Sequence, residues 1–274
     1  MTTTLRPSGP LQQTTAGART RPYEIRVNSR RVGALLLTSD TPFGPTVGEI
    51  RDLVVEERDR RRGRATVAAL AAEEVLRGWG CRRIRISVPA GSAGGLRLAE
   101  ALGYTEHSRN MAKDLPAEPP ALPEGVTGRP MTEAEYAHWH AGAVDSYAAT
   151  WAGRGMSAEA ARAKSVADHE RMLPRGLASP GVTFVVLEAA GEPVGHVWLA
   201  PEGEGSYVYD IEVGAEHRGR GHGRQLMLLA ERTALAEGHR LLALHVFTDN
   251  TPALRLYESL GYRSTNLNLA KDLI

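Results

Sequence analysis

The segment Arg218-Gly219-Arg220-Gly221-His222-Gly223 has the residue types and spacing of an anion-binding turn. It follows a strand that ends at Val213 and opens a stretch of helical periodicity. Glycines at such a junction let consecutive backbone N–H groups point at one place. The helix N-terminus adds unpaired donors and a dipole, worth about 0.3–1 kcal/mol per favourable charge. Arg218, Arg220 and Arg224 supply cationic side chains, and the ligand that suits this combination is a diphosphate. The spacing is not the G-x-G-x-x-G of a dinucleotide turn, and no Gly-Lys-Ser/Thr closes it as in a P-loop. Just upstream, the carboxylates Asp210 and Glu212 stand two apart, on one strand face. Downstream lie an amide, Asn250, and a phenol, Tyr257. The one cysteine, Cys81, is remote from this cluster in sequence and fits a small buried hydrophobe.

The elements that must position these groups are written twice. Residues 52 to 115 align without a gap with 210 to 273, and about a third of the positions are identical. The shared residues include Arg60/Arg218, Gly63/Gly221, the triplets Leu102-Gly103-Tyr104 and Leu260-Gly261-Tyr262, and the endings Ala112-Lys113-Asp114-Leu115 and Ala270-Lys271-Asp272-Leu273. A repeat this long is a duplicated domain core rather than a solenoid unit. Each copy begins with an alternating hairpin, Tyr23 to Leu37 and Phe184 to Leu199, with turn residues between its strands. A strand into the loop, a helix, a strand, a helix ending at Leu-Gly-Tyr and a closing strand follow in each half. That order predicts an α/β (α+β) fold of two mixed-sheet domains, each with a parallel pair at its centre.

The domain expectations are a disordered tail over 1–22, an abbreviated domain over 23–115, a Pro-rich linker over 116–130 and a complete domain over 131–274. The second half alone has two further helices, opened by the capping box Thr132/Glu135 and by Ser157.

The motifs resemble those of the GNAT superfamily of N-acyltransferases. Arg218-x-x-Gly221-x-Gly223 matches the acyl-CoA loop, and Arg60-x-x-Gly63-x-Ala65 matches it in the first half. The run from Asn250 through Ala253 and Tyr257 to Gly261-Tyr262 matches the second family element. The resemblance implies acetyl-CoA as cosubstrate, inserted between the strand ending at Val213 and the strand Leu241 to Phe247. Backbone at Ile211 and Val213 would bind the pantetheine arm and acyl group. Arg218, Gly219, Arg220, Gly221, His222, Gly223 and Arg224 would hold the diphosphate, with Asn250 and Ala253 helping to position the cosubstrate. Tyr257 would be the general acid for the departing thiolate, in a direct transfer to a primary amine.

Comparison of the copies assigns the chemistry. Tyr257 aligns with Ala99 and Asn250 with Ser92, so the first half is expected to be inactive. Its arginine-rich loop keeps the elements of a diphosphate site and equally fits a solvated charge run. Asp210 has a counterpart in Asp52, which favours a structural role, whereas Glu212 aligns with Val54 and is the expected general base. His245 and His196 stand next in order, and an amine of low pKa would need no base at all. His138, Trp139, His140, Asp145, Tyr147 and Trp151 cluster on the first extra helix, with Trp198 on the hairpin; most of the aromatics are expected in the core. The acceptor is expected to be a small molecule. A protein or peptide acceptor, or a non-catalytic acyl-CoA sensor, is the alternative.

The net charge of +1 gives no reason to expect nucleic acid or an anionic membrane as partner. Ligand spacing for a metal is missing, as is an apolar run of membrane-spanning length. One cysteine rules out an intrachain disulfide and fits a reducing cytoplasm. The oligomeric state stays open, a homodimer included.

Overall fold

The computed structural model describes residues 2–273. The chain divides into two compact units.

The N-terminal unit holds residues through Arg109 together with those from Asn266 onward. Its elements are β1 (Thr3–Pro7), β2 (Gln12–Gln13), β3 (Arg19–Val27), β4 (Arg30–Thr38), β5 (Val47–Val55), α1 (Arg64–Gly78), β6 (Arg83–Pro89), α2 (Ala93–Ala101) and the start of β7 (Thr105–Asp114). β3 and β4 form a hairpin whose two turn residues, Asn28 and Ser29, both have positive φ. That turn geometry matches the right-handed twist of the strands it joins. β5 and β6 run parallel over only three register pairs, Val47–Glu49 against Arg83–Arg85, and then diverge.

The C-terminal unit holds Asn110 to Thr265. Its further elements are β8 (Val126–Pro130), α3 (Glu133–Ala152), α4 (Ala158–Met172), β9 (Thr183–Ala189), β10 (Glu192–Glu202), β11 (Gly205–Val213), α5 (His222–Ala236), β12 (Leu241–Phe247), α6 (Thr251–Ser259) and the start of β13 (Arg263–Asp272). A second two-residue turn, Ala190-Gly191, joins β9 to β10 with the same pair of positive φ angles. β11 and β12 are parallel over Ser206–Val208 against Leu242–Leu244, and they too splay beyond. On α5, Leu226, Ala230 and Ala234 recur every four residues and are fully buried. Burying a leucine completely is worth about 1.5–3 kcal/mol.

The structure differs from expectation in three places. Residues of the tail form β1 and β2, both paired with β3. The Pro-rich linker ends in a strand, β8, on the edge of β9. The closing strands are also exchanged: β13 pairs antiparallel with β6 from Asn266↔Pro89 to Asp272↔Arg83, and β7 lies beside β12. The two strands end in the same four residues, so each satisfies either site. Lys271 Nζ reaches the buried Glu73 at 2.8 Å in the N-terminal unit. Lys113 Nζ reaches the buried Glu231 at 2.7 Å in the C-terminal unit.

Among the described residues, no helix is long and apolar enough to cross a membrane.

Candidate active site

The arginine–glycine loop is built on the end of β11. Gly219 and Gly221 have φ of 78° and 85°, and Gly221 is the N-cap of α5. In that left-handed region a side chain costs about 1 kcal/mol or more. Arg218 folds back instead of reaching outward: its Nε donates to the Val213 carbonyl at 3.1 Å, and its guanidinium lies 3.2 Å from Glu212 Oε1. Arg220 is exposed. Arg224 donates to Ser259 Oγ at 2.5 Å, and His222 Nδ1 is 2.8 Å from Gln225 Oε1. A Cβ on Gly223 would stand 3.3 Å from Leu256, so helix α6 packs close against the loop here. Arg218 and Glu212 thus brace the turn, and the exposed cation Arg220 beside the helix N-terminus faces solvent.

Within the C-terminal unit, a cavity of about 1330 Å³ opens at the splay of β11 and β12. Its floor is sheet, with His196 from β10, Asp210 and Ile211 from β11 and His245 from β12; its walls are Trp139, Tyr147 and Trp151 of α3 with Asp168 and His169 of α4. Asn250 and Tyr257 of α6 line it from the other side of the splay. The bulge between Trp198 and Leu199 leaves Tyr209 unpaired opposite β10. Bulges re-aim side chains, and here the residue that follows is Asp210.

Asp210 stands on the cavity floor between an indole and an imidazole. Trp139 Nε1 donates to its Oδ2 at 2.9 Å, and His196 Nε2 lies 3.1 Å from the same oxygen. Burial raises the Asp210 pKa, but the hydrogen bond and charge of His196, with the Trp139 N–H, outweigh it and hold the carboxyl below its ordinary value. Tyr257 is 7% exposed. Burial first, then the charge of Asp210, pushes its phenol up to about 12.

Other expected residues are placed as follows. Glu212 is exposed and paired with Arg218. Asn250 caps α6, its side chain accepting from Ala253 N at 3.2 Å, and Ser92 does the same for α2 through Gly95 N. Val213 and Ile211 pack against the core of the unit. Trp139 and Trp198 belong to an apolar cluster with Phe184, as expected for core aromatics, yet the Trp139 indole also reaches Asp210. Asp145 is exposed and paired with Arg162.

His169 has no place in the sequence reading. It is 7% exposed, and its Nδ1 lies 2.7 Å from the Ser165 carbonyl. A carbonyl only accepts, so Nδ1 is the donor in this contact. Helical spacing alone could have paired Ser165 with His169, at i and i+4.

The comparisons with known proteins agree with this architecture. A family model described as "Acetyltransferase (GNAT) family" matches residues 6–104 and 150–262. Mycothiol acetyltransferase of Streptomyces bingchenggensis is 28% identical over 272 residues, covering 89% of this chain and 83% of that protein. The uncharacterized N-acetyltransferase YycN of Bacillus subtilis is 33% identical over 107 residues, 37% of this chain and 69% of its own length. Among solved structures, a tandem GNAT protein from the clavulanic acid biosynthesis pathway superposes with a TM-score of 0.53 at 18% identity, covering 95% of this chain and 85% of the other. A GCN5-related N-acetyltransferase from Sphaerobacter thermophilus gives a TM-score of 0.59 at 19% identity over 92% and 80% of the two chains. The chain therefore belongs to the acetyltransferase (GNAT) family, carries two copies of its fold, and is an acyl-transferring enzyme.

Proposed function

We propose that the C-terminal unit transfers an acetyl group from acetyl-CoA to a primary amine of a small molecule, directly and in a ternary complex. The observation that carries this reading is convergence. The Tyr257 hydroxyl and the Asp210–His196–Trp139 cluster face one cavity, at the splay beside the arginine–glycine loop. The two positive-φ glycines, the N-terminus of α5 and Arg220 suit a diphosphate. The splayed strands suit an extended pantetheine arm along Ile211 and Val213. A cavity of about 1330 Å³ walled by α3 and α4 suits a small acceptor better than a folded protein.

In the proposed step the amine nitrogen forms the new C–N bond and the C–S bond breaks. The ammonium proton passes to the Asp210–His196 pair, directly or through one water. The sulfur takes a proton from Tyr257. With a pKa near 12 the phenol is still protonated when negative charge builds on sulfur. Glu212, the base expected from sequence, serves in this reading to brace Arg218.

CoA release from acetyl-CoA over a panel of primary amines tests the proposal. Asp210→Asn is expected to lower turnover about 100-fold. Glu212→Gln removes an exposed ion pair and is expected to change it by at most about 5-fold. The opposite order would move the base to Glu212. An amine panel that releases no CoA above background would reject amine transfer altogether.

A further inference from the structure

The N-terminal unit has a cavity of its own, about 660 Å³, at the splay of β5 and β6. On β6, Ile84 and Ile86 pack into the core, so the alternation of the strand turns Arg85 to the opposite face. Its guanidinium lies over the Phe43 ring, 4.1 Å from the centroid. Stacking of this kind fixes the plane of the guanidinium and leaves its edge donors available.

We infer that this cavity binds a small carboxylate-bearing ligand, with Arg85 as the anchor. Arg85 makes no hydrogen bond or ion pair among the described residues, although it is half-buried. Its register partner on β5, Glu49, already accepts from Arg51 Nε at 2.7 Å. Its partner on β13 is Ala270, which leaves room beside the guanidinium. Burial pulls the Arg85 pKa down; the charge of Glu49 opposes this and that of Arg83 adds to it, as expected of a cation short of a matching anion.

One cation beside a neighbouring carboxylate favours a monoanion over a dianionic phosphate, and the planar fork matches a carboxylate in two-point contact. Ser87, Asn266 and Asn268 add polar lining. The volume falls in the range of small-molecule sites. The C-terminal copy has Ala243 at the position of Arg85, so this anchor is no remnant of the catalytic plan. The inference is independent of the reading of the C-terminal unit.

The carboxylate has two possible sources, a free acid or the far end of an acyl thioester, and the test separates them. Butyrate, a monoanion, is titrated calorimetrically into the full chain. Succinyl-CoA and acetyl-CoA are titrated into the chain carrying Gly221→Glu, in which the C-terminal loop is blocked. If the ligand is a free acid, butyrate binds, and Arg85→Leu weakens it about 10-fold or more. If it is a thioester, succinyl-CoA binds in preference to acetyl-CoA, and Arg85→Leu erases the preference. Arg85→Lys, which keeps the charge and loses the fork, is expected to restore only part of either signal. Thermal unfolding of each variant checks that the fold is kept. Absence of carboxylate binding, or binding indifferent to Arg85, overturns the inference.

Discussion

The two units share their scaffold and differ in what could react. Arg60 Nε donates to the Val55 carbonyl as Arg218 does to Val213, at 2.9 and 3.1 Å. Gly63 caps α1 with the left-handed φ that Gly221 has at α5. Both parallel pairs splay after three residues. The divergences fall at chemical positions. Tyr257 has Ala99 as its counterpart, and the hairpin register puts Ala34 opposite Val54 where His196 stands opposite Glu212. Arg61, at φ 59°, replaces Gly219, and Arg64, the counterpart of His222, is buried against Asp59. The helices α3 and α4 have no equivalent in a unit that begins with β1 and β2. What the copies share is what packs, and what differs lies at the positions proposed to act on a substrate.

The largest expected effect tests what the copies share. Lys113→Met would leave Glu231, 1% exposed, without its cation. Loss of one partner from a buried pair costs about 3–5 kcal/mol. Denaturant unfolding is expected to show that loss, and Lys271→Met, which strands Glu73, should show a comparable one. A cost below about 1 kcal/mol for either would mean that the pair behaves as a surface contact and that the symmetry is one of shape alone.

A smaller effect tests what the copies do not share. Tyr257→Phe removes a hydroxyl and keeps the ring in the core. Turnover should fall about 10-fold or more while acetyl-CoA affinity stays nearly constant. Full retained activity would remove Tyr257 as the acid. The smallest effect is one of pH. The Asp210 pKa is depressed in the folded state, so its contribution to stability is present above the unfolded carboxylate pKa, about 3.9, and is lost as pH falls through the folded value. Wild type and Asp210→Asn should therefore differ in stability at neutral pH and converge in acid. A gap that widens in acid would contradict the assigned shift.

Much of this was legible in the sequence because it rests on local periodicity and on the repeat. The hairpins follow from alternation, and the loops from glycines that only a left-handed turn requires. The exchange of β7 and β13 was hidden because both end in Ala-Lys-Asp-Leu, an ending that does not distinguish one site from the other. β1 and β2 pair through backbone along β3, and a Thr- and Gln-rich tail carries no apolar pattern to announce it. Asp210 was read as structural because Asp52 matches it. Asp52, however, is exposed at φ 53° and faces Ala34-bearing strand rather than a histidine. The gapless alignment begins at Asp52, after the hairpin, so the His196/Ala34 difference lay outside it. The Trp139 contact joins a helix to a strand 71 residues away, which no local pattern encodes.

The most direct test of the central claim, that the chemistry belongs to the C-terminal unit, compares Gly221→Glu with Gly63→Glu. Both glycines have left-handed φ and open space at Cβ, so backbone strain is matched and only the site differs. The measurement is CoA release from acetyl-CoA with a responsive amine. The account predicts near-wild-type turnover for Gly63→Glu and a loss of about 100-fold or more for Gly221→Glu, since a carboxylate placed against a diphosphate costs several kcal/mol. Turnover lost in Gly63→Glu and kept in Gly221→Glu would assign the reaction to the other unit and contradict the account.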